Sequence, residues 1–518
     1  RGDCSSMTVL HYAGVLLVLT LIAGIGIYSG KKVKNAADFS TGGGKAGAWI
    51  VAGTIMGTLV SGQATIGTAQ LAFTYGMSAW WFTLGAGIGC LILAVGYAVP
   101  LRRSEQTTLL SIISKEYGNQ AGAIGSVLCS VGIFVSVISQ MLSSTALLTT
   151  ILPINTFTAL LIAVILMAVY VIFGGVWGAG MGGVVKLTLM YVASIFSAVL
   201  VIWMVGGLQE LVQCVTQTLT NSALTDIVGL HSSADVSCRY FNLLARGPVK
   251  DIGSGLSLLL GVLSTQTYAQ AIWAAKSDSA ARKGALLSAF LIPPIGIACI
   301  LIGLHMRGHY ITSAEIEVLT VAGQAVPAGL IEIASTSQVF PTFILNYMPK
   351  LLGGIVLGTL LITVIGGGSG LSLGVATIIV NDVFCKVSKT VQKPKWCLYL
   401  TRGVIVVVLL LAAMVAGIVP GAVINDFGFL SMGLRAAVVV VPVTFALFLR
   451  GQVNPKYATA AILAGPTCVL LSKFFLPAAI EPMYPGIMMA FLLMLAGVIS
   501  HRRQANAISN TNCTRFRL

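Results

Sequence analysis

The sequence predicts an all-α polytopic membrane protein of about 13 transmembrane helices, arranged as a five-plus-five inverted repeat with discontinuous helices. Three observations carry that prediction. Only 9% of the 518 residues are charged and 57% are hydrophobic, against roughly 25% charged residues in soluble domains. Apolar runs long enough to cross a bilayer follow one another along the chain. Two of these runs, 53–70 and 253–270, carry glycines and hydrogen-bonding side chains at mid-membrane depth, and each opens a block of five runs. An odd number of spans per block forces the two blocks into opposite topology, and broken helices at matching positions of inverted repeats point to a transporter's midplane site.

The spans fall near 9–28, 46–75, 78–100, 121–149, 155–174, 180–206, 253–274, 284–305, 350–379, 398–419, 427–449, 456–476 and 484–500. The first run is too long for a signal-peptide core, and no A-x-A cleavage site follows it, so it reads as a span. Residues 1–6 precede a methionine and carry no argument. Alternate connections are basic: KKVK at 31–34, LRR at 101–103, KSDSAARK at 276–283, KVSKTVQKPK at 386–395, RGQVNPK at 450–456 and HRR at 501–503. The intervening ones, at 209–229, 313–318 and 420–428, are neutral to acidic. The positive-inside rule then sets the N-terminus outside and the C-terminus in the cytoplasm, and the expected location is the plasma (cytoplasmic) membrane. The expected organisation is an extra helix at 9–34, repeat one at 45–206, an extracellular loop at 207–252, repeat two at 253–449, two further helices at 450–503 and a cytoplasmic tail at 504–518.

The formal charge of +15 does not indicate nucleic acid, because the basic residues sit in the loops rather than along one amphipathic face. The composition excludes a soluble enzyme, and no span carries a His/Asp/Glu cluster or an activated nucleophile. Ten cysteines are scattered without a CxxC pair. Cys214 and Cys238 share one outer loop, where a disulfide and two free thiols are equally compatible with the sequence.

Four stretches resemble the sodium/solute symporter family: 35–82, "YVIFGGVWG" (170–178), "STQTYAQAIWAAKSDSAARKGALLSAFLIP" (264–293) and "GLSLGVATIIVNDVF" (370–384). They occur in family order, and with the spans they cover most of residues 10–500. The resemblance implies a leucine-transporter-type fold working by alternating access, with solute and ion sites beside the broken helices. It also implies a sodium site built from the backbone carbonyls of Gly57 and Val60, since a hard cation seeks oxygen ligands and unwound carbonyls supply them. Two adjacent hydroxyls that normally complete that site fall at Gly366 and Gly367 here. A position that is often Asp falls at Gly183, and a nearby Gln falls at Lys186. Three oxygen-bearing side chains are thus replaced by glycine, and a cation stands at i, i+3 from one of them.

These departures lead to the expectation that the Lys186 ammonium takes the vacated sodium position and donates to the Gly57 and Val60 carbonyls. Transport would then be sodium-independent, or proton-coupled if Lys186 releases its proton during the cycle. The competing readings are a lysine that snorkels to the membrane surface, an interhelical hydrogen bond, and a distorted but working sodium site rescued by Thr363 and Ser369. Na+ and H+ are therefore the candidate coupling ions, and no other cofactor is implied.

Arg435, inside the run 428–442, is the second deep charge, and a guanidinium within a span must pair or face water. It can bind an anionic solute bidentately or be held structurally by carbonyls at a helix break. Candidate solute contacts are Gln63, Thr65, Thr68, Trp81, Ser257, Ser264 and Gln266, polar or aromatic groups on the broken helices and their neighbour. The leading function is a secondary transporter of a small organic solute, with a carboxylate-bearing one favoured. A membrane-embedded solute sensor is the alternative of another class, and the lack of a soluble domain after "HRRQANAISN" counts toward transport.

Overall fold

The computed structural model describes residues 7–30, 44–106, 108–173, 176–384, 394–419 and 421–515. The KKVK run, residues 35–43 and Gly174–Gly175 of the motif stretches, and most of the 386–395 run lie outside the described residues.

Helices dominate because, in hydrocarbon, each backbone N–H and C=O must find its partner within its own segment. The first helix, Val9–Gly30, lies along Lys350–Ile378. The first block then runs through Ala48–Leu59 and Thr68–Tyr75 (two halves of one broken helix), Trp81–Ile92 extended by Ala98–Arg103, Asn119–Ile151, Thr156–Phe173 and Val176–Val205. The second block runs through Pro248–Ser264 and Gln266–Ala274 (again two halves), Asp278–Leu291 continued by Pro293–His309, Lys350–Ile378, Pro394–Ile418 and Ile424–Phe448. In each block the leading half of the broken helix packs on that block's fifth helix: Ala48–Leu59 on Val176–Val205, and Pro248–Ser264 on Ile424–Phe448. That correspondence is the internal repeat expressed as packing.

Among the described residues nine helices are long and apolar enough to cross a membrane, with three shorter apolar ones. The count of 13 is not reproduced as such. The break at Thr265 leaves both halves of the second broken helix short, and the run Gln63–Arg103 joins parts of two spans. Lys350–Ile378 and Ile424–Phe448 are the most enclosed, with 78% and 83% of their most apolar windows buried. Both pack against Asn119–Ile151, so these three helices form the centre of the bundle.

The connections are more structured than the sequence suggests. Residues 207–252 fold into helices Leu208–Leu219, Ser222–Val228 and Ser233–Tyr240. A second insertion, overlooked in the sequence, pairs Tyr310–Thr312 with Ile331–Ile333 in a two-stranded parallel ribbon and adds helices Ser313–Val321 and Val339–Tyr347. The two insertions form a cap at one end of the bundle. The proposed tail also changes: the last helix, Met483–Arg515, continues through residues 504–515.

Of the two arrangements open to Cys214 and Cys238, the structure has the free thiols. Cys214 turns inward, its Sγ 4.0 Å from Nε2 of His309, while Cys238 is exposed on a different short helix.

Candidate functional site

Both expected breaks are present, and their backbone geometry explains the site. The chain leaves the helix at Val60 (φ −75°, ψ 83°) and resumes in a wide turn, with Gly67 N–H donating to the Gly62 carbonyl. In an unbroken helix Ser61 N–H would donate to Gly57 and Gly62 N–H to Thr58. Here Ser61 N–H turns back to Leu59 at 2.9 Å. The break therefore releases the Gly57 carbonyl and the Gly62 N–H. Both are buried in a membrane core, where an unpaired backbone group is costly.

Two side chains from other helices take these groups. Lys186 Nζ donates to the Gly57 carbonyl at 2.6 Å. Gln140 Oε1 accepts from Gly62 N–H at 3.2 Å while its Nε2 donates to Ser61 Oγ at 2.9 Å. Lys186 is 6% exposed and Gln140 1%, so the ammonium lies inside the protein rather than at a lipid-facing surface. Among the described residues Gly57 is the hydrogen-bond partner of Lys186, and the expected second contact, to the Val60 carbonyl, is not made.

The glycines behave in two ways. A Cβ at Gly183 would fall 2.2 Å from the Gly53 carbonyl oxygen, so this glycine lets Val176–Val205 approach Ala48–Leu59 backbone to backbone. It leaves no volume for a side chain. At Gly367 a Cβ would meet Ser61 Cβ at 3.1 Å and Gln140 at 3.4 Å. Gly366 instead faces Tyr170, with room for ordinary contact at 3.6 Å. The hydroxyls of Thr363 and Ser369 do not reach the break: the first donates to Thr359 within its own helix and the second to Met167 at 2.8 Å.

The second break is at Thr265, extended at φ −88°, ψ 117°. Arg435, 1% exposed, reaches it: Nη1 donates to Thr265 Oγ1 at 3.0 Å and Nε to the Ser431 carbonyl at 3.3 Å, while Nη2 lies 2.9 Å from Met432 Sδ. Among the described residues no carboxylate pairs with this guanidinium.

A single cavity joins the two breaks. Its polar walls are Ser61, Gln63, Ser136 and Gln140 on one side and Thr265, Tyr268 and Arg435 on the other, with Phe82, Leu371 and Met432 between them. About 10 Å³ is open to the centre of a water-sized sphere, room for about one water. An organic solute can enter only if the walls part. At the cap end Phe82 and Phe429 close it, ring centroids 5.6 Å apart. Arg246 lies 5.4 Å over Phe429 and pairs with Asp251 at 2.7 Å and, more loosely, with Asp426 at 3.9 Å. At the opposite end Trp273 donates to the Leu101 carbonyl at 2.7 Å, Arg102 pairs with Asp278 at 2.7 Å, and Ala46 bridges to Ala275.

The remaining sequence candidates divide. Gln63 lines the cavity, donating to Ser136 Oγ at 3.0 Å. Thr65 and Thr68 spend their hydroxyls on the Ser61 and Gln63 carbonyls of their own turn. Trp81 is tied to the Leu243 carbonyl at 2.7 Å, outside the cavity. Ser257 faces Met483, and Ser264 bonds back to Gly261. Gln266 accepts from Leu109 N–H at 2.9 Å, at the start of the short helix Leu109–Tyr117. The sequence reading missed Gln140 and Ser136. They stand at i, i+4 on one face of Asn119–Ile151, with Ser143 and Ser144 a turn further on, and that polar face was the available signal.

Two helices broken at mid-membrane around one polar cavity, in blocks that repeat one packing scheme, define a secondary transporter of the leucine-transporter type. A profile of the sodium:solute symporter family matches residues 39–465, and the chain belongs to that family. It is an integral membrane solute transporter rather than an enzyme. A sodium-coupled sialic acid symporter, solved substrate-bound and outward-open, superposes with TM-score 0.71 at 16% identity, covering 96% of this chain and 98% of its own. Mhp1, a nucleobase-cation-symport-1 family transporter solved closed with bromovinylhydantoin bound, gives TM-score 0.52 at 11% identity, covering 91% and 96%. These likenesses concern the fold.

Proposed function

We propose that the chain moves a small carboxylate-bearing solute across the membrane by alternating access, with the Lys186 ammonium standing where a coupling sodium would bind. The 2.6 Å contact from Lys186 to the carbonyl released by the first break carries this reading. A carbonyl freed by unwinding is an oxygen ligand for a hard cation, and a tethered ammonium supplies the same charge permanently. Two cations do not share such a place without a carboxylate beside it, and the cavity lining holds none. Arg435 is the anion receptor: a buried guanidinium without a protein carboxylate is best satisfied by one that arrives with the solute.

On this reading the blocks 45–206 and 253–449 are the halves that rock against each other. The cap end faces outside by the positive-inside rule, so the Phe82–Phe429 closure is the outer one and the Trp273–Leu101 closure the inner one. A second reading, retained sodium coupling, is favoured by the family match; it requires Lys186 to withdraw or lose its proton when sodium arrives.

Uptake into proteoliposomes in sodium-free buffer, with and without an inward proton gradient, tests the proposal. Uptake that persists without sodium supports it, and stimulation by the gradient adds proton release from Lys186. Complete dependence on sodium, unchanged in Lys186→Gln, would sink it.

A further inference from the structure

The cap holds a cluster that transport does not use. Cys214 stands half-buried on Leu208–Leu219, and His305 and His309 stand one turn apart at the end of Pro293–His309. His309 Nδ1 lies 2.8 Å from the His305 carbonyl oxygen. A carbonyl only accepts, so in the neutral ring Nδ1 carries the proton and the bare lone pair is on Nε2. That nitrogen is 4.0 Å from Cys214 Sγ. A second acceptor near the thiol, the Gly308 carbonyl at 3.9 Å, already takes the Thr218 hydroxyl at 2.9 Å. The thiol proton is therefore directed at the imidazole, and thiol, imidazole and carbonyl stand in the order that makes a sulfur nucleophilic.

Behind His309 lies His305, 3% exposed, the two ring centroids 4.4 Å apart. Both nitrogens of His305 are buried without a partner among the described residues, and the rings of Phe343 and Tyr347 stand nearly perpendicular to it. One ring away from the thiol there is thus unspent hydrogen-bonding capacity, which a polar group arriving on the sulfur would use. Cys238 offers a comparison: it is exposed on Ser233–Tyr240 and makes no side-chain hydrogen bond among the described residues.

We infer that Cys214 is a thiol-exchange site on the cap, with His309 as its base, and that it takes a mixed disulfide from a low-molecular-weight disulfide. Sγ attacks one sulfur of that disulfide while His309 Nε2 accepts the thiol proton. The S–S bond breaks, and the leaving thiolate takes the proton back from the imidazole. One thiol and one disulfide give one mixed disulfide and one thiol, so no further oxidant is needed. The adduct loosens the cap. A Cβ at Gly308 would already stand 2.9 Å from Cys214 Sγ. Whether the modified sulfur pushes Gly308 away or swings outward, it leaves its seat between Leu208–Leu219 and Pro293–His309. This chemistry is independent of the coupling ion at Lys186. The positive-inside rule sets the cap on the outer side, where disulfides persist.

The purified full chain, reduced and freed of reductant, is exposed to bis(hydroxyethyl) disulfide, and the Cys214 and Cys238 peptides are followed by mass spectrometry in the same sample. Cys214 is expected to be modified at least about tenfold faster than Cys238, although it is the less exposed. His309→Asn should slow Cys214 at least about tenfold and leave Cys238 unchanged, with the melting point of the variant reporting that it folds. Hydrogen exchange of residues 208–219 should quicken on modification and return on reduction with dithiothreitol. A Cys214 no faster than Cys238 in the wild-type chain would overturn the inference, and that comparison needs no variant. An unaltered Cys214 rate in folded His309→Asn would overturn the role of the imidazole. Unchanged exchange in chains carrying the adduct would overturn the loosening of the cap.

Discussion

Gln140→Leu removes the strut that holds the first break, and its cost can be worked from the contacts. Leucine fills nearly the same volume but offers neither acceptor nor donor. The Gly62 N–H loses its 3.2 Å partner and Ser61 Oγ its 2.9 Å donor. The serine hydroxyl can rotate to another group, whereas the Gly62 N–H is fixed by the backbone and stays buried without an acceptor. Leaving one such donor unsatisfied costs about 1–3 kcal/mol. If that penalty falls mainly on the closed conformer, its weight against open ones drops about 5- to 150-fold. Initial-rate uptake in proteoliposomes should show a lowered KM, because the solute enters only the open conformers, and thermal unfolding in detergent should move down. A Gln140→Leu protein that matches wild type in both would refute the claim that this amide supports the break.

Other substitutions test other parts of the account. Arg246→Ala leaves Asp251, which has no exposed side-chain surface, as an uncompensated buried carboxylate. About 3–5 kcal/mol of stability should be lost, and the double variant Arg246→Met with Asp251→Leu should recover most of it in thermal unfolding. Gly183→Val drives a side chain into the Gly53 carbonyl, where even a Cβ would stand at 2.2 Å. About 1–3 kcal/mol is expected from the overpacking, read as a lowered melting point together with impaired uptake, because the same displacement draws Lys186 from Gly57.

Much of the architecture could be read in the sequence because membrane helices must be long, apolar and internally bonded, and each exception is conspicuous. The two glycine-broken stretches marked both breaks, and the isolated ammonium in "GMGGVVKLTLMYV" led to the Gly57 carbonyl. Side-chain direction was harder. Broken helices lack a single hydrophobic stripe, so nothing in the sequence tells which polar residues face the cavity. Gln63 does, while Ser257, Ser264 and Gln266 on the second broken helix bond elsewhere. Gln140 escaped notice because it sits in an apolar helix that is unbroken, and its role appears only once residues 61 and 140 are brought together. Gly183 misled for a related reason: from sequence alone a glycine reads as a missing side chain, while in the fold it is a contact between two backbones.

The central claim, that a lysine ammonium holds the place of the coupling cation, is tested most directly by equilibrium binding of radiolabelled sodium to the purified protein and to Lys186→Gln. The account predicts no saturable sodium binding to the wild-type chain, because the ammonium already occupies the Gly57 carbonyl. It predicts that removing the charge exposes that carbonyl and permits weak binding. Saturable sodium binding by the wild type, undiminished and unimproved in Lys186→Gln, would contradict it.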